Sequence, residues 1–104
     1  MNYSSEPVLT TSIYRPKTGS EKGFVKLWSS RVGNLAYDMG ADTVGIFHNE
    51  ETDEYLASIH WSSESAAKKF LHSPEFREAL QELAIFCPIS SSGEHFELLH
   101  EKAA

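Results

Sequence analysis

The sequence predicts a single α+β domain of ferredoxin-like βαββαβ order, a two-layer sandwich in which two helical regions cover one face of a four-stranded sheet. Three observations carry this expectation. Segments rich in β-branched and aromatic residues recur along the chain, each bounded by proline, glycine or a polar run. Between them lie stretches whose apolar residues follow helical spacing. The 104 residues, 40% apolar and 23% charged, suffice for one hydrophobic core and have the balance of an ordinary globular chain. The domain is therefore expected to span residues 1–104, with its core from about residue 8 to residue 100.

After a polar lead to Pro7, VLTTSIY from Val8 to Tyr14 reads as the first strand, closed by Pro16 and Gly19. Ser20 offers an N-cap, with Glu21 in the first turn, to an amphipathic helix carrying Phe24, Leu27, Trp28, Arg31, Val32, Leu35 and Met39 and ending near Gly40. ADTVGIFH from Ala41 to His48 and YLASIHW from Tyr55 to Trp61 form a hairpin across the acidic stretch NEETDE. Ser62 and Ser63 precede a second helical region, which breaks at His72 to Pro74. It restarts with Ser73 and Pro74 and carries Phe76, Leu80, Leu83 and Phe86. Pro88 and the SSSG loop end it, and HFELLH from His95 to His100 supplies the last strand, with a helical alternative.

Strand alternation places Val8, Thr10, Ser12 and Tyr14 on one side of the first strand, and Leu9, Thr11 and Ile13 on the other. In the third strand Tyr55, Ala57, Ile59 and Trp61 oppose Leu56, Ser58 and His60. The helices can cover one face alone, and both faces carry apolar side chains. A homodimer joined through Leu9, Ile13, Leu56 and His60 is expected.

Composition excludes several classes of function. With 15 acidic against 9 basic residues the net charge is −6, and Lys17, Lys22, Lys26, Arg31, Lys68, Lys69 and Arg77 are scattered. Neither nucleic acid nor an anionic membrane surface is an expected partner. The N-terminal segment has no basic start or apolar run of a secretory signal, so a cytoplasmic location is the default. Cys87 is the single cysteine and is read as a buried thiol, with no cation beside it to lower its pKa. No histidine and cysteine spacing suits zinc, and the acidic run Glu50 to Glu54 lacks the glycine and final glutamate of a calcium loop, so no metal is expected. Nucleophile elbow, phosphate loop and dinucleotide fingerprint are all missing.

Two segments, IHWSSESAAKKFL from Ile59 to Leu71 and SPEFREAL from Ser73 to Leu80, together with the βαββαβ order, resemble the antibiotic biosynthesis monooxygenase domain. That family of dimeric α/β barrels includes quinol monooxygenases and bacterial haem-degrading enzymes, and the resemblance covers roughly Val8 to His100. It implies a fold and a dimer more strongly than any one reaction. Members that oxidise anthrones use no metal or flavin: the substrate's own carbanion reacts with oxygen in a pocket between sheet and helices. Their strand-end tryptophan matches Trp61, whereas their asparagine four residues earlier and tyrosine six residues later are Ala57 and Ala67 here. Haem-degrading relatives place asparagine, tryptophan and a histidine ligand where this chain has Ser12, Phe70 and Leu80. Leucine cannot ligate iron, so haem degradation is rejected and no cofactor is expected.

The resemblance and the periodicity together nominate Ser12, Trp28, Trp61, Phe70, Phe76 and Leu80 as a substrate-binding set on the helix-facing side of the sheet. For Trp61 the core reading is favoured over substrate stacking, since a large indole at a strand end usually packs beneath a helix. Trp28 and Phe24 lie on the apolar stripe of the first helix, where the core reading is stronger still. Candidate catalytic groups are Trp61, His60 on the open face and His72 at the helix break; His48, His95 and His100 lie near strand ends and have no partner at fixed spacing. Two functions are open at this level. One is a cofactor-independent monooxygenase acting on a small aromatic, quinol-like or polyketide-like molecule; the other is a non-catalytic dimeric small-molecule-binding or interaction module of the same fold.

Overall fold

A computed structural model describes residues 7–87 and the backbone of Gly93–Glu97. The elements are β1 Val8–Tyr14, α1 Glu21–Leu27, a π-helical turn Trp28–Gly33, α2 Asn34–Asp38, β2 Ala41–Asn49, β3 Glu54–Trp61, α3 Glu64–Leu71, α4 Pro74–Leu83 and β4 Gly93–Glu97. The strands form one antiparallel sheet in the order β2-β3-β1-β4, which is the predicted ferredoxin-like topology. Expected and observed boundaries differ chiefly at the last strand, which begins at Gly93 rather than His95. The remainder of that expected strand, Leu98 to His100, lies outside the described residues.

Register sets which side chains meet the helices. Val8 pairs with Trp61, Thr10 with Ile59, Ser12 with Ala57 and Tyr14 with Tyr55, so the alternate residues of the two central strands share one face. Val44 and Ile46 of β2 extend that face by pairing with Ile59 and Ala57. The acidic stretch is the solvated hairpin connection: the Asn49 side-chain oxygen accepts hydrogen bonds from the backbone N–H groups of Glu51 and Thr52, at 2.9 and 3.4 Å, and Asp53 takes φ +59°.

Against this face the first helical region buries Phe24, Trp28, Val32 and Ala36, while α3 and α4 bury Ala67, Phe70, Ala79 and Leu83. Each fully buried large side chain contributes roughly 1.5–3 kcal/mol of gross transfer free energy. The first helix is not the uniform α-helix expected from Ser20 to Gly40. At its middle the Asn34 N–H donates to the Ser29 carbonyl, a π-type bond, and the Ser30 hydroxyl donates to the Leu27 carbonyl at 3.3 Å. Ser20 occupies the N-cap position without a side-chain cap bond; the Glu21 carboxylate instead accepts from the Gly19 N–H at 2.9 Å.

The break between α3 and α4 is built by serines. Ser63 Oγ accepts from Ala66 N–H at 3.2 Å to start α3. Ser73 Oγ accepts from Phe76 N–H at 3.2 Å to start α4 and donates to the Phe70 carbonyl at 2.7 Å, tying the second start to the first end. Pro74 follows at the first turn of α4, where its missing N–H is harmless. On the far side of the sheet Ile13, Phe47 and Leu56 are 37%, 59% and 38% exposed. Among the described residues no helix is long and apolar enough to cross a membrane.

Candidate active site

Between the sheet and the helices the described residues enclose a cavity of about 190 Å³. Its polar wall comes from β1, through Thr10, Thr11, Ser12 and Tyr14. Trp28 and Val32 of the π-helical turn form a second wall, Ala57 and Ile59 of β3 part of the floor, and Phe70, Leu71 and Phe76 the side nearest the α3–α4 break. Charged side chains are missing from this lining among the described residues.

The aromatic wall is a continuous stack. Phe76 and Phe70 lie 4.4 Å apart between ring centroids, and Phe70 lies 5.2 Å from Trp61. Trp61 is 1% exposed, and its indole N–H donates to Thr10 Oγ1 at 3.3 Å. Thr10 in turn donates to the Ile59 carbonyl at 3.5 Å, a long bond that leaves this hydroxyl committed to the protein.

Tyr14 is 5% exposed, and its ring packs against Phe24 at 5.1 Å. Burial pushes its phenol pKa above the ordinary tyrosine value; the Ser12 hydroxyl and the Trp28 indole beside it pull it partly back. Tyr14 is therefore a neutral phenol at physiological pH. Burial also pushes the Cys87 thiol up to about 11, so it is an inert thiol near the base of the core.

Four of the six nominated binding residues, Ser12, Trp28, Phe70 and Phe76, meet at this cavity. Trp61 lies on the same sheet face but behind Thr10 and Phe70, outside the lining. Leu80 is a correction: it is 38% exposed and does not line the cavity. The inward stripe of α4 passes through Phe76, Ala79 and Leu83, and a residue one step beyond Ala79 is rotated about 100° away from it. His60 is exposed on the open sheet face and His72 is exposed at the helix break, its Nδ1 lying 2.9 Å from the Lys68 carbonyl; neither lines the cavity. His48 stacks on Tyr55 at 4.4 Å and its Nε2 lies 2.9 Å from Asp53. The side chain of His95 and all of His100 lie outside the described residues.

Thr10, Tyr14, Val32 and Ile59 were not nominated from the sequence, although alternation had put Thr10 and Tyr14 on the same face as Ser12. Among the described residues no cluster of three or more histidine, cysteine or acidic side chains could hold a metal ion. A wider and shallower groove of about 280 Å³ runs past Ile13, Phe47, Tyr55 and Leu56 at one end of the sheet. It is larger than the cavity but more open, so the cavity is the better enclosed place for a small molecule.

The model of the family described as antibiotic biosynthesis monooxygenase matches residues 9–82. No curated protein matches the sequence significantly. Among solved structures, a candidate antibiotic biosynthesis monooxygenase from Caulobacter crescentus superposes with a TM-score of 0.78 at 12% identity, covering 94% of each chain. Another from Chloroflexus aurantiacus gives 0.70 at 10% identity, covering 93% of this chain and 97% of its own. A conserved protein from Methanosarcina mazei gives 0.74 at 15% identity, covering 90% of this chain and 94% of its own. At such identities the likeness is one of fold.

Proposed function

The chain belongs to the antibiotic biosynthesis monooxygenase family, and from that premise we propose that it is a cofactor-independent monooxygenase acting on a small aromatic, quinol-like molecule held in the cavity between sheet and helices. The observation that carries this reading is the cavity itself. It is large enough for an aromatic ring, walled by Trp28, Phe70 and Phe76, and edged on one side by hydroxyl groups. In the proposed reaction a quinol takes one atom of dioxygen at a ring carbon and becomes a hydroxyquinone. The second oxygen atom leaves as water with two hydrogens from the substrate, whose own electrons reduce the dioxygen. The protein's part is to exclude water, fix the plane of the ring and donate hydrogen bonds to ring oxygens as negative charge gathers there.

Oxygen uptake by the purified protein with a panel of quinols and electron-rich phenols tests the reading. Turnover above the uncatalysed rate is expected, and a rate that never exceeds it for any member of the panel refutes it.

A second reading, a non-catalytic dimeric module that binds a small molecule or a partner, is favoured by a specific observation. Ala57 lines the cavity and Ala67 is fully buried, and these are the positions where the resemblance to anthrone-oxidising members calls for asparagine and tyrosine. In either reading we propose a homodimer. Its support is the open sheet face, where Ile13, Phe47 and Leu56 remain exposed beside Leu9 and His60.

A further inference from the structure

We infer that Tyr14, with Ser12 beside it, anchors the oxygen of an uncharged, single-ring hydroxy-aromatic or quinone in the cavity, so that β1 supplies the polar recognition that β3 and α3 lack. The inference rests on the cavity being the ligand site. Three observations lead to it. Among the described residues β3 and α3 line the cavity with Ala57, Ile59, Phe70 and Leu71, none of them polar. The hydroxyl of Thr10 is already engaged by the Trp61 indole and the Ile59 carbonyl. Strand alternation turns the Thr11 side chain to the opposite face with Leu9 and Ile13, which leaves the pair Ser12 and Tyr14, two residues apart on one strand and therefore on one face, with the Trp28 side chain beside the phenol.

The donor and acceptor roles of this group follow from its chemistry. An indole N–H can only donate, so the Trp28 side chain beside the phenol makes no claim on the Tyr14 proton, which stays free to give away. Burial keeps that proton on the phenol. Tyr14 therefore presents a neutral hydroxyl at the cavity lining, and its complement is an oxygen with a free lone pair, whether phenolic or carbonyl. A carboxylate would also accept such a bond, but the described lining holds no cation to offset its desolvation, which excludes it. Size limits the rest. A dry cavity of about 150 Å³ accepts benzene, and about 190 Å³ leaves room for one ring with small substituents.

Binding of related one-ring ligands, followed by tryptophan fluorescence and by calorimetry, tests this apart from any turnover. Toluene, p-cresol and 4-methylbenzoate share one ring and one methyl group. The wild-type protein is expected to bind p-cresol about three- to tenfold more tightly than toluene, the worth of one net hydrogen bond, and to bind 4-methylbenzoate more weakly than either. Tyr14→Phe is expected to erase the preference for p-cresol while leaving toluene unchanged. The inference is overturned if the preference survives Tyr14→Phe, if toluene and p-cresol bind alike, if the carboxylate binds best, or if none binds. Should Tyr14→Phe fail to fold, protein carrying ¹³C at the tyrosine Cζ gives the same answer: p-cresol must shift the Tyr14 signal and not that of exposed Tyr37. Absence of oxygen uptake with intact p-cresol selectivity would refute the proposed catalysis and leave the anchor standing.

Discussion

Trp61 shows how one residue serves the site from outside it. It lies outside the cavity lining itself, yet its N–H fixes the hydroxyl of Thr10 and its ring backs Phe70, two residues that do line it. Trp61→Ala should cost about 3–5 kcal/mol, as for a fully buried indole, whereas Trp61→Phe should cost less; urea denaturation of both variants measures the difference. Cys87 makes a prediction about pH. Its thiol keeps its proton up to about 11 in the folded protein against 9.0 for an unburied thiol. Between these values the unfolded chain loses a proton that the folded chain retains, so stability falls as pH rises through that window and is unaffected by this group below it. Unfolding measured from pH 8 to 11 should show the decline, and Cys87→Ala should flatten it. At this scale the sequence was legible wherever periodicity alone decides the direction of a side chain, as at Ser12, Trp28, Phe70 and Phe76. It was not legible at Leu80, where one step of helical phase separates a lining residue from a solvated one, nor at Tyr14, whose role depends on what Trp28 and Ser12 do around it.

The π-helical turn is the element-scale answer to a spacing already present in the sequence. Phe24, Trp28, Val32 and Ala36 are buried at intervals of four residues, and a regular α-helix drifts by about 40° at each such step. Three steps would carry Ala36 about 120° away from the face that Phe24 occupies. The wider i→i+5 turn across Trp28–Gly33 takes up more residues per turn and offsets part of that drift, and Trp28 and Val32 both line the cavity. In sequence, the interval of four is hard to tell from ordinary 3–4 helical spacing, because strict fours depart from an α-helix by only about 0.4 residue per turn. Two glycines here should respond in opposite ways. Gly33 has helical φ −59°, and an added Cβ would lie 3.6 Å from Val44 and 3.8 Å from Trp28, ordinary contacts. Gly33→Ala should therefore stabilise the protein, by about 0.5–1 kcal/mol. Gly40 holds φ +107° where α2 gives way to β2, and Gly40→Ala should destabilise it by about 1 kcal/mol or more. Thermal unfolding of both variants checks the signs.

For the molecule as a whole, the unpaired sheet face is the feature that a count of layers made visible from sequence, because two helical regions cannot cover two faces. In the proposed homodimer this face would leave water, at about 25 cal/mol per Å² of apolar surface, opposed by the cost of association. Leu56→Asp would set an unpaired carboxylate in the interface and should release monomer. Sedimentation at micromolar protein checks it, and a wild-type monomer indifferent to the substitution would locate the interface elsewhere. The strand order also imposes a timetable. β1 lies between β3 and β4, so it leaves the ribosome before its partners near residues 54–61 and 93–97 and must wait for both. The helical layer after it can form from local contacts meanwhile. A strand left waiting with exposed edges is a hazard for association with other nascent chains, and the hazard grows with its apolar content. Thr10, Thr11 and Ser12 interrupt the apolar run of β1 at its centre. Two of these hydroxyls, on Thr10 and Ser12, belong to the polar wall of the finished cavity, and they also lower the apolar content of a strand that is made before its neighbours exist.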